Sequence, residues 1–300
     1  MTNNPNNTAP LAVPDSIKNS LLDAETQLRN AGLNEHPQLD AEILLAHALE
    51  QTRTFLRTWP ERMLESAHLT QFQTLLARRC QGEPIAYLTG KRDFWDMTLT
   101  VSPHTLIPRP ETETLVELAL EKIPLDATWR IADLGTGSGA IALAIARERP
   151  HCQIVATDIS PDALAIASNN AARLKIDNIH FAEGHWCAPL ANEHFEMMIS
   201  NPPYVHSGDP HLQQDDLRFE PLTALQSGPD GLADIRIICS EARQHLCTPG
   251  WLLLEHGYNQ GATVPAILHK LGYQQVQTQK DLAQNDRVSL GRWVESIQET

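Results

Sequence analysis

Apolar residues recur at helical spacing through the first part of the chain. Between Ser16 and Ala31, Ile17, Leu21, Leu22, Leu28 and Ala31 fall near one helical face, and Gly32 suits the stop after it. The same spacing returns between Asp40 and Leu49 in Ile43, Leu44, Ala46 and Leu49. Residues 52–59 and 70–80 predict two further short helices, with Pro60 and Gly82 as punctuation. Residues 16–90 therefore predict a small helical domain. The Asn-, Pro- and Thr-rich stretch before it, residues 1–15, predicts a flexible tail. The pattern by itself fits a packing module and a docking surface equally well.

The period then changes. Phe94 to Val101 alternates and reads as a strand, with a hairpin as the natural form for a linker over residues 91–110. In Thr105-Leu-Ile-Pro-Arg-Pro-Glu-Thr-Glu113 two prolines hold the chain extended before a helix resumes from Glu111 to Ile123. From residue 129 strands and helices alternate. Strands are predicted at 129–134, 153–158, 179–182, 195–200, 251–255, 275–279 and 287–293. Helices are predicted at 140–149, 161–174, 232–246 and 260–271, and a long polar loop runs from Asn201 to about Gly231. This order predicts an α/β domain over residues 111–300, built on a doubly wound parallel sheet of seven strands.

Charge narrows the classes of function. The 300 residues carry a formal net charge of −14. Residues 1–110 hold 10 basic and 12 acidic side chains, and residues 111–300 hold 13 and 25. A broad cationic face for duplex DNA is not expected, because such binding neutralises many phosphates with Lys and Arg. The longest apolar run, Ala140 to Ala146, is seven residues, far short of the ~20 that cross a bilayer. The first residues lack the basic-then-apolar pattern of a secretion signal. Five cysteines form no CxxC and no metal spacing, so reduced thiols in a cytoplasmic protein without a metal site are expected.

Two motifs carry chemistry. Asp133-Leu-Gly-Thr-Gly-Ser-Gly139 lies between a predicted strand and a predicted helix. Gly135, Gly137 and Gly139 let the backbone turn sharply and approach a ligand, with Thr136 and Ser138 between them. No Lys follows, so this is not a phosphate loop of the Walker type. Asp158 ends the next strand, where a carboxylate can accept both hydroxyls of a ribose. The pair predicts an adenosine-type cofactor. The second motif, Asn201-Pro-Pro-Tyr204, follows the apolar strand Met197-Met-Ile-Ser200. Pro202 and Pro203 donate no backbone hydrogen bond and leave carbonyls as acceptors. Asn201 adds a side-chain carbonyl and Tyr204 a flat aromatic face. Such a cluster can grip a planar NH₂ group through both N–H bonds, which predicts methyl transfer to an amide or exocyclic amine.

These motifs resemble those of class I S-adenosylmethionine-dependent methyltransferases that act on planar nitrogens. Gly82-Glu-Pro-Ile-Ala-Tyr-Leu-Thr-Gly90, Phe94-Trp95, the segment Thr105 to Glu113, Arg218-Phe-Glu-Pro-Leu-Thr-Ala-Leu225 and Leu253-Leu-Glu-His-Gly257 resemble the release factor glutamine methyltransferases within that class. The resemblance runs from about residue 16 to 293. It implies a Rossmann-like methyltransferase sheet, S-adenosylmethionine as cofactor, and transfer to the side-chain amide nitrogen (N5) of the glutamine in the Gly-Gly-Gln motif of peptide chain release factors. It implies that the helical domain docks the partner. It also implies that Gly135, Thr136, Gly137, Ser138, Gly139, Asp158, Trp186 and Asn201 hold the cofactor, with Trp186 beside the adenine. Asn201, Pro202, Pro203 and Tyr204 would hold the substrate, and Asn201, Pro202 and Tyr204 would act in catalysis. One departure stands out: the family often has Asp before that Trp, and here the residue is His185, with Glu183 two positions earlier. Arg109 is expected to steady the site wall or to pair with Glu111 or Glu113, and Arg218-Phe219-Glu220 to shape the way in for substrate.

Other readings share parts of this pattern. A glutamine methyltransferase acting on a large-subunit ribosomal protein has the same fold and Asn-Pro-Pro-Tyr, but the segment Arg109 to Glu113 favours release factors. A DNA adenine methyltransferase would need a recognition domain and a basic surface. A non-catalytic adenosine-binding protein would not need Asn201-Pro-Pro-Tyr204 intact.

Overall fold

A computed structural model describes residues 15–295, so the predicted tail, Asp15 apart, lies outside the described residues. The chain forms two compact units that divide between Gly90 and Lys91.

The first unit is helical: α1 (Ile17–Asn30), α2 (Pro37–Ala48), α3 (Arg53–Thr58), α4 (Ser66–Cys80) and α5 (Ile85–Thr89). Ser16 caps α1, its hydroxyl accepting the Asn19 N–H at 3.2 Å. Ile17, Leu28, Leu44, Leu45, Leu56 and Phe72 form the centre of its core. Glu42 is buried there, and its carboxylate takes Arg53 at 2.6 Å and Arg57 at 3.0 Å. Burial alone would raise its pKa, but the two guanidinium groups outweigh it and hold the carboxyl below its ordinary value. α5 was not expected from the sequence. Its five residues are too few to show a period.

The second unit opens with the hairpin β1 (Lys91–Phe94) and β2 (Met97–Thr100). Here the alternating run Phe94 to Val101 is not one strand: Trp95 takes a φ of 57° and turns the chain inside it. β2 is fastened to the later helix at Pro161–Leu174 through Asn170, whose side chain bonds both the N–H and the carbonyl of Thr100 at 2.8 and 3.0 Å. After the hairpin come α6 (Glu113–Lys122), β3 (Arg130–Leu134), α7 (Ala140–Glu148), β4 (Gln153–Asp158), α8 (Pro161–Leu174), β5 (Ile179–Glu183) and β6 (Phe195–Ser200). The unit closes with α9 (Ala233–Glu241), β7 (Leu246–Glu255), α10 (Thr263–Lys270), β8 (Gln274–Lys280) and β9 (Asp286–Trp293).

The seven strands order as β5-β4-β3-β6-β7-β9-β8. The α/β sheet of seven strands is thus observed, with one correction: β9 runs antiparallel to both β7 and β8. Only a short connection separates β8 from β9, too short for the crossover that a parallel pair needs. Side chains alternate along the strands into two cores. Ile131 of β3 faces α6 and α7, while Ala132 and Leu134 face the side of α9 and α10. Both faces are covered, which is why the inner strands read as nearly continuous apolar runs. The strand order reverses at β3, between β4 and β6, and a crevice at the carboxyl ends of such strands is where α/β sheets hold ligands.

Candidate active site

The carboxyl ends of β3, β4 and β6 deliver the motif residues to one place. Gly135 and Thr136 leave β3 with both N–H groups donating to the Thr157 carbonyl at 2.9 Å, which folds the loop across β4. Gly137 N–H donates to Asp158 Oδ2 at 2.8 Å, and Ser160 N–H to Oδ1 at 2.9 Å. Asp158 is half-buried, and burial raises its pKa against those backbone bonds. At Gly135 the φ is +76°, and a Cβ would stand 2.9 Å from the Trp186 ring. The position needs glycine on both counts. Gly139 instead turns toward α7 and α8, where a Cβ would meet Leu143 and Ala167 at 3.0 and 3.2 Å.

A cavity of about 350 Å³ lies over this loop. Gly135, Thr136, Gly137, Ser138, Asp158, Trp186 and Asn201 line it; Gly139 does not, so it shapes the loop from behind. Pro203 of the Asn-Pro-Pro-Tyr turn also lines it. Its far walls are the segment from the turn at His104 to Pro108 and the loop from Pro221 to Gln226. Those two walls are joined by Glu220, whose buried carboxylate accepts the Ile107 N–H at 3.0 Å and pairs with Arg109. Arg109 thus finds neither Glu111 nor Glu113. Glu113 accepts the Trp95 N–H at 2.8 Å instead. Burial raises the Glu220 pKa, and Arg109 pulls it back.

Around the Trp186 ring the sequence had flagged His185. His185 is exposed and meets Trp186 edge to face, with ring centroids 5.3 Å apart. The acid on the indole comes from elsewhere in the chain: Trp186 Nε1 donates to Asp234 Oδ1 at 3.2 Å, and Ser227 holds Oδ2 at 2.7 Å. Asp234 lines the cavity too. From sequence it looks like an ordinary acid in the first turn of a helix.

Asn201 is oriented from below. Its Nδ2 donates to Thr112 Oγ1 at 3.2 Å, which leaves Oδ1 as the end available to a ligand. Pro202 and Pro203 are buried. The Tyr204 hydroxyl points to Glu255 Oε1 at 3.4 Å, and its backbone carbonyl accepts Gln260 Nε2 at 3.1 Å. Burial, with Glu255 close by, pushes the Tyr204 phenol far up, so it is a neutral donor. Thr112, Asp234 and Glu255 are residues whose place in the site only the tertiary pairing reveals; Glu220, expected at the way in for substrate, ties two walls of the cavity together.

Known proteins resemble this chain along most of its length. Residues 20–90 match the family described as PrmC N-terminal domain, and residues 112–216 match the methyltransferase small domain. The release factor glutamine methyltransferase of Vibrio cholerae serotype O1 is 50% identical over 279 residues, covering 93% of this chain and 97% of its own. That of Escherichia coli K12 is 51% identical over 260 residues, 87% of this chain and 94% of its own. A crystal structure of a methyltransferase from Pyrococcus furiosus superposes with a TM-score of 0.52 at 17% identity, over 74% of this chain and 100% of that one, and speaks for the fold.

Proposed function

The chain belongs to the release factor glutamine methyltransferases, and from that premise we propose that it methylates the side-chain amide nitrogen (N5) of the glutamine in the Gly-Gly-Gln motif of peptide chain release factors. S-adenosylmethionine, when bound, supplies an electrophilic methyl on a sulfonium that departs as a neutral thioether. The cavity suits a cation of this kind: Asp158 and Asp234 line it, and among the described residues no Lys or Arg does. Asp158 would hold the ribose hydroxyls, Gly135, Thr136, Gly137 and Ser138 would flank the methionine part and ribose, and Trp186 would flank the adenine.

An amide nitrogen is a weak nucleophile because its lone pair is delocalised into the carbonyl. Asn201 Oδ1 and the Pro202 carbonyl accept its two N–H bonds and favour a pyramidal nitrogen whose lone pair is free to react. Positive charge gathers on that nitrogen, so two fixed acceptor dipoles stabilise the transition state more than the ground state. Holding the amide in place supplies the rest, and the proton leaves to water afterwards. Pro203 walls the glutamine side chain and Tyr204 packs against it.

The observation that carries this reading is Asn201, whose Nδ2 is already engaged by Thr112 at the rim of the same cavity as the glycine loop. A release factor is the protein partner, docked by the helical unit at residues 16–90. The enzyme works in the cytoplasm, with no part for DNA or membranes. Among the described residues no helix is long and apolar enough to cross a membrane.

The test offers labelled S-adenosylmethionine with four acceptors: release factor, its Gly-Gly-Ala variant, ribosomal protein and DNA. Label goes to the first alone. Label on DNA, on ribosomal protein in preference, or on the Gly-Gly-Ala variant as on wild type would sink the reading. Asn201→Ala is expected to lower kcat about a hundredfold, while the cofactor Kd moves by no more than about threefold.

A further inference from the structure

We propose that Asp234 is a positioning residue shared by both halves of the site: one carboxylate oxygen holds the Trp186 indole against the glycine loop, and the other holds Ser227, which closes the wall that follows Asn201-Pro-Pro-Tyr204. This rests on the methyl-transfer reading above and deepens it by tying the cofactor side to the acceptor side.

Every link is a direct contact. Trp186 Nε1 donates to Asp234 Oδ1 at 3.2 Å. The Ser227 hydroxyl donates to Asp234 Oδ2 at 2.7 Å, and its oxygen accepts the Asp234 N–H at 2.8 Å. On the cofactor side, the indole lies so near Gly135 that a Cβ there would stand 2.9 Å from the ring. The Trp186 carbonyl accepts the Thr157 hydroxyl at 3.1 Å. Trp186 itself holds a φ of 46°, a left-handed backbone that a bulky residue keeps only where its surroundings fix it. On the acceptor side, Ser227 N–H donates to the Val205 carbonyl and Val205 N–H to the Leu225 carbonyl, both at 2.9 Å, directly after Tyr204. Ser227 is 1% exposed, and the stretch that it ends, Pro221 to Gln226, lines the same cavity as Trp186 and Asp234.

An indole has one N–H to give, and a carboxylate has two oxygens that only accept. Asp234 therefore takes the indole N–H and the serine O–H at once, with no competition between them. The serine oxygen, its proton committed, accepts the Asp234 N–H in the first turn of α9. Asp234 reaches back 48 residues to Trp186 and seven to Ser227, so a shift of either wall pulls on one side chain. An indole confined by bound cofactor cannot swing, and through Asp234 the Val205–Ser227 pairing loses the same freedom. The acceptor then meets a wall already ordered and binds more tightly to the loaded protein than to the empty one. By linkage, cofactor binds more tightly to the protein that holds acceptor.

Four single variants and one double test the proposal. S-adenosylhomocysteine, the thioether left after transfer, is the calorimetric probe of the cofactor side, and KM for release factor reads the acceptor side. Asp234→Ala cuts both links and is expected to raise that Kd and that KM about tenfold each. Ser227→Ala cuts one link, and should raise KM about fivefold with the Kd within about threefold of wild type. Asp234→Asn offers Oδ1 to the indole and Nδ2 to the serine oxygen, so both constants should return to within about threefold. Saturating release factor should tighten the Kd about fivefold in wild type and less than about twofold in Asp234→Ala. In Trp186→Phe, which has no indole N–H, adding Asp234→Ala should raise the Kd by no more than about twofold further. In the protein without cofactor, the Trp186 indole N–H, identified in NMR spectra by its absence from Trp186→Phe, should exchange with solvent about tenfold faster in Asp234→Ala.

An Asp234→Asn variant as weak as Asp234→Ala would show the carboxylate acting by its charge, and would overturn the proposal. Wild-type Kd and KM in Asp234→Ala, or release factor tightening the probe as much there as in wild type, would overturn it too. Should Asp234→Ala fail to fold, the Ser227→Ala split between KM and Kd decides alone, together with the loss of tightening in that variant. The wild-type label assay separates the two ideas. If wild type labels the glutamine and Asp234→Ala keeps the coupling, only this proposal falls; if the glutamine stays unlabelled, the reading beneath it falls.

Discussion

Asp133 sits inside β3, 1% exposed, with Oδ2 accepting the Thr136 hydroxyl at 2.7 Å and Oδ1 without a partner among the described residues. Burial pushes its carboxyl up to about 7, against the help of Thr136 and the Ala142 N–H and with Asp158 nearby. An unfolded aspartate titrates near about 3.9. Between those values the folded chain binds the extra proton, so stability falls as pH rises. The contribution is complete below the unfolded value and is lost as pH passes the folded one. Glu255, also pushed to about 7, adds with the same sign. Asp133→Asn should therefore flatten the decline of Tm between about pH 4 and pH 8. Parallel pH profiles for the two proteins would contradict it. Single residues were read unevenly from sequence. Asp158 and Asn201 stood out because the first ends the strand after the glycine loop and the second opens Asn-Pro-Pro-Tyr directly after a strand. Thr112 and Glu255 lie inside quoted segments, yet their meaning comes from a pairing across 89 residues in one case and from burial in the other.

At the scale of elements, the loop after Asn201-Pro-Pro-Tyr204 is more built than its polar sequence suggested. Val205 pairs with Gln226 in an isolated bridge, and short 3₁₀ turns punctuate the stretch between them. Gly231, with φ +72°, closes it: a Cβ there would strike the Tyr204 carbonyl, which Gln260 Nε2 already holds at 3.1 Å while reaching the Gly231 carbonyl at 3.2 Å. Gly231→Ala would strain the backbone and shove the substrate turn together, a loss of about 2–4 kcal/mol in chemical denaturation. A change below about 0.5 kcal/mol would mean that the knot is slack. Regular elements were legible because periodicity survives without knowledge of neighbours. The helices at 17–30 and 161–174 and the strands at 153–158 and 195–200 all stand close to where the pattern put them. What failed was short or relational. The turn at Trp95 hides inside an alternating run, α5 is one turn long, and the direction of β9 depends on connection length rather than on its own residues.

For the molecule as a whole, charge is the property that sequence shows without any structure. The net −14 is carried chiefly beyond residue 110. On the proposed function it favours a partner with a basic face, and binding to release factor should weaken several-fold between about 50 and 300 mM salt. Affinity that ignores salt would argue that the interface is apolar. The order of the sheet has a consequence of another kind. Among the described residues β9 comes after every other strand in sequence, but it is not an edge: it lies between β7 and β8. While the protein is being synthesised, β7 waits with one flank unpaired until residues 286–293 have emerged. Glu255, at the end of β7, pairs with Val288 across that same seam. A chain cut short before residue 286 would therefore bare the β7 flank to other chains and uncover the strand end that carries Glu255, the partner of the Tyr204 hydroxyl. The seam beside the site is thus closed by residues 286–293, far along the chain from the motifs that line the cavity.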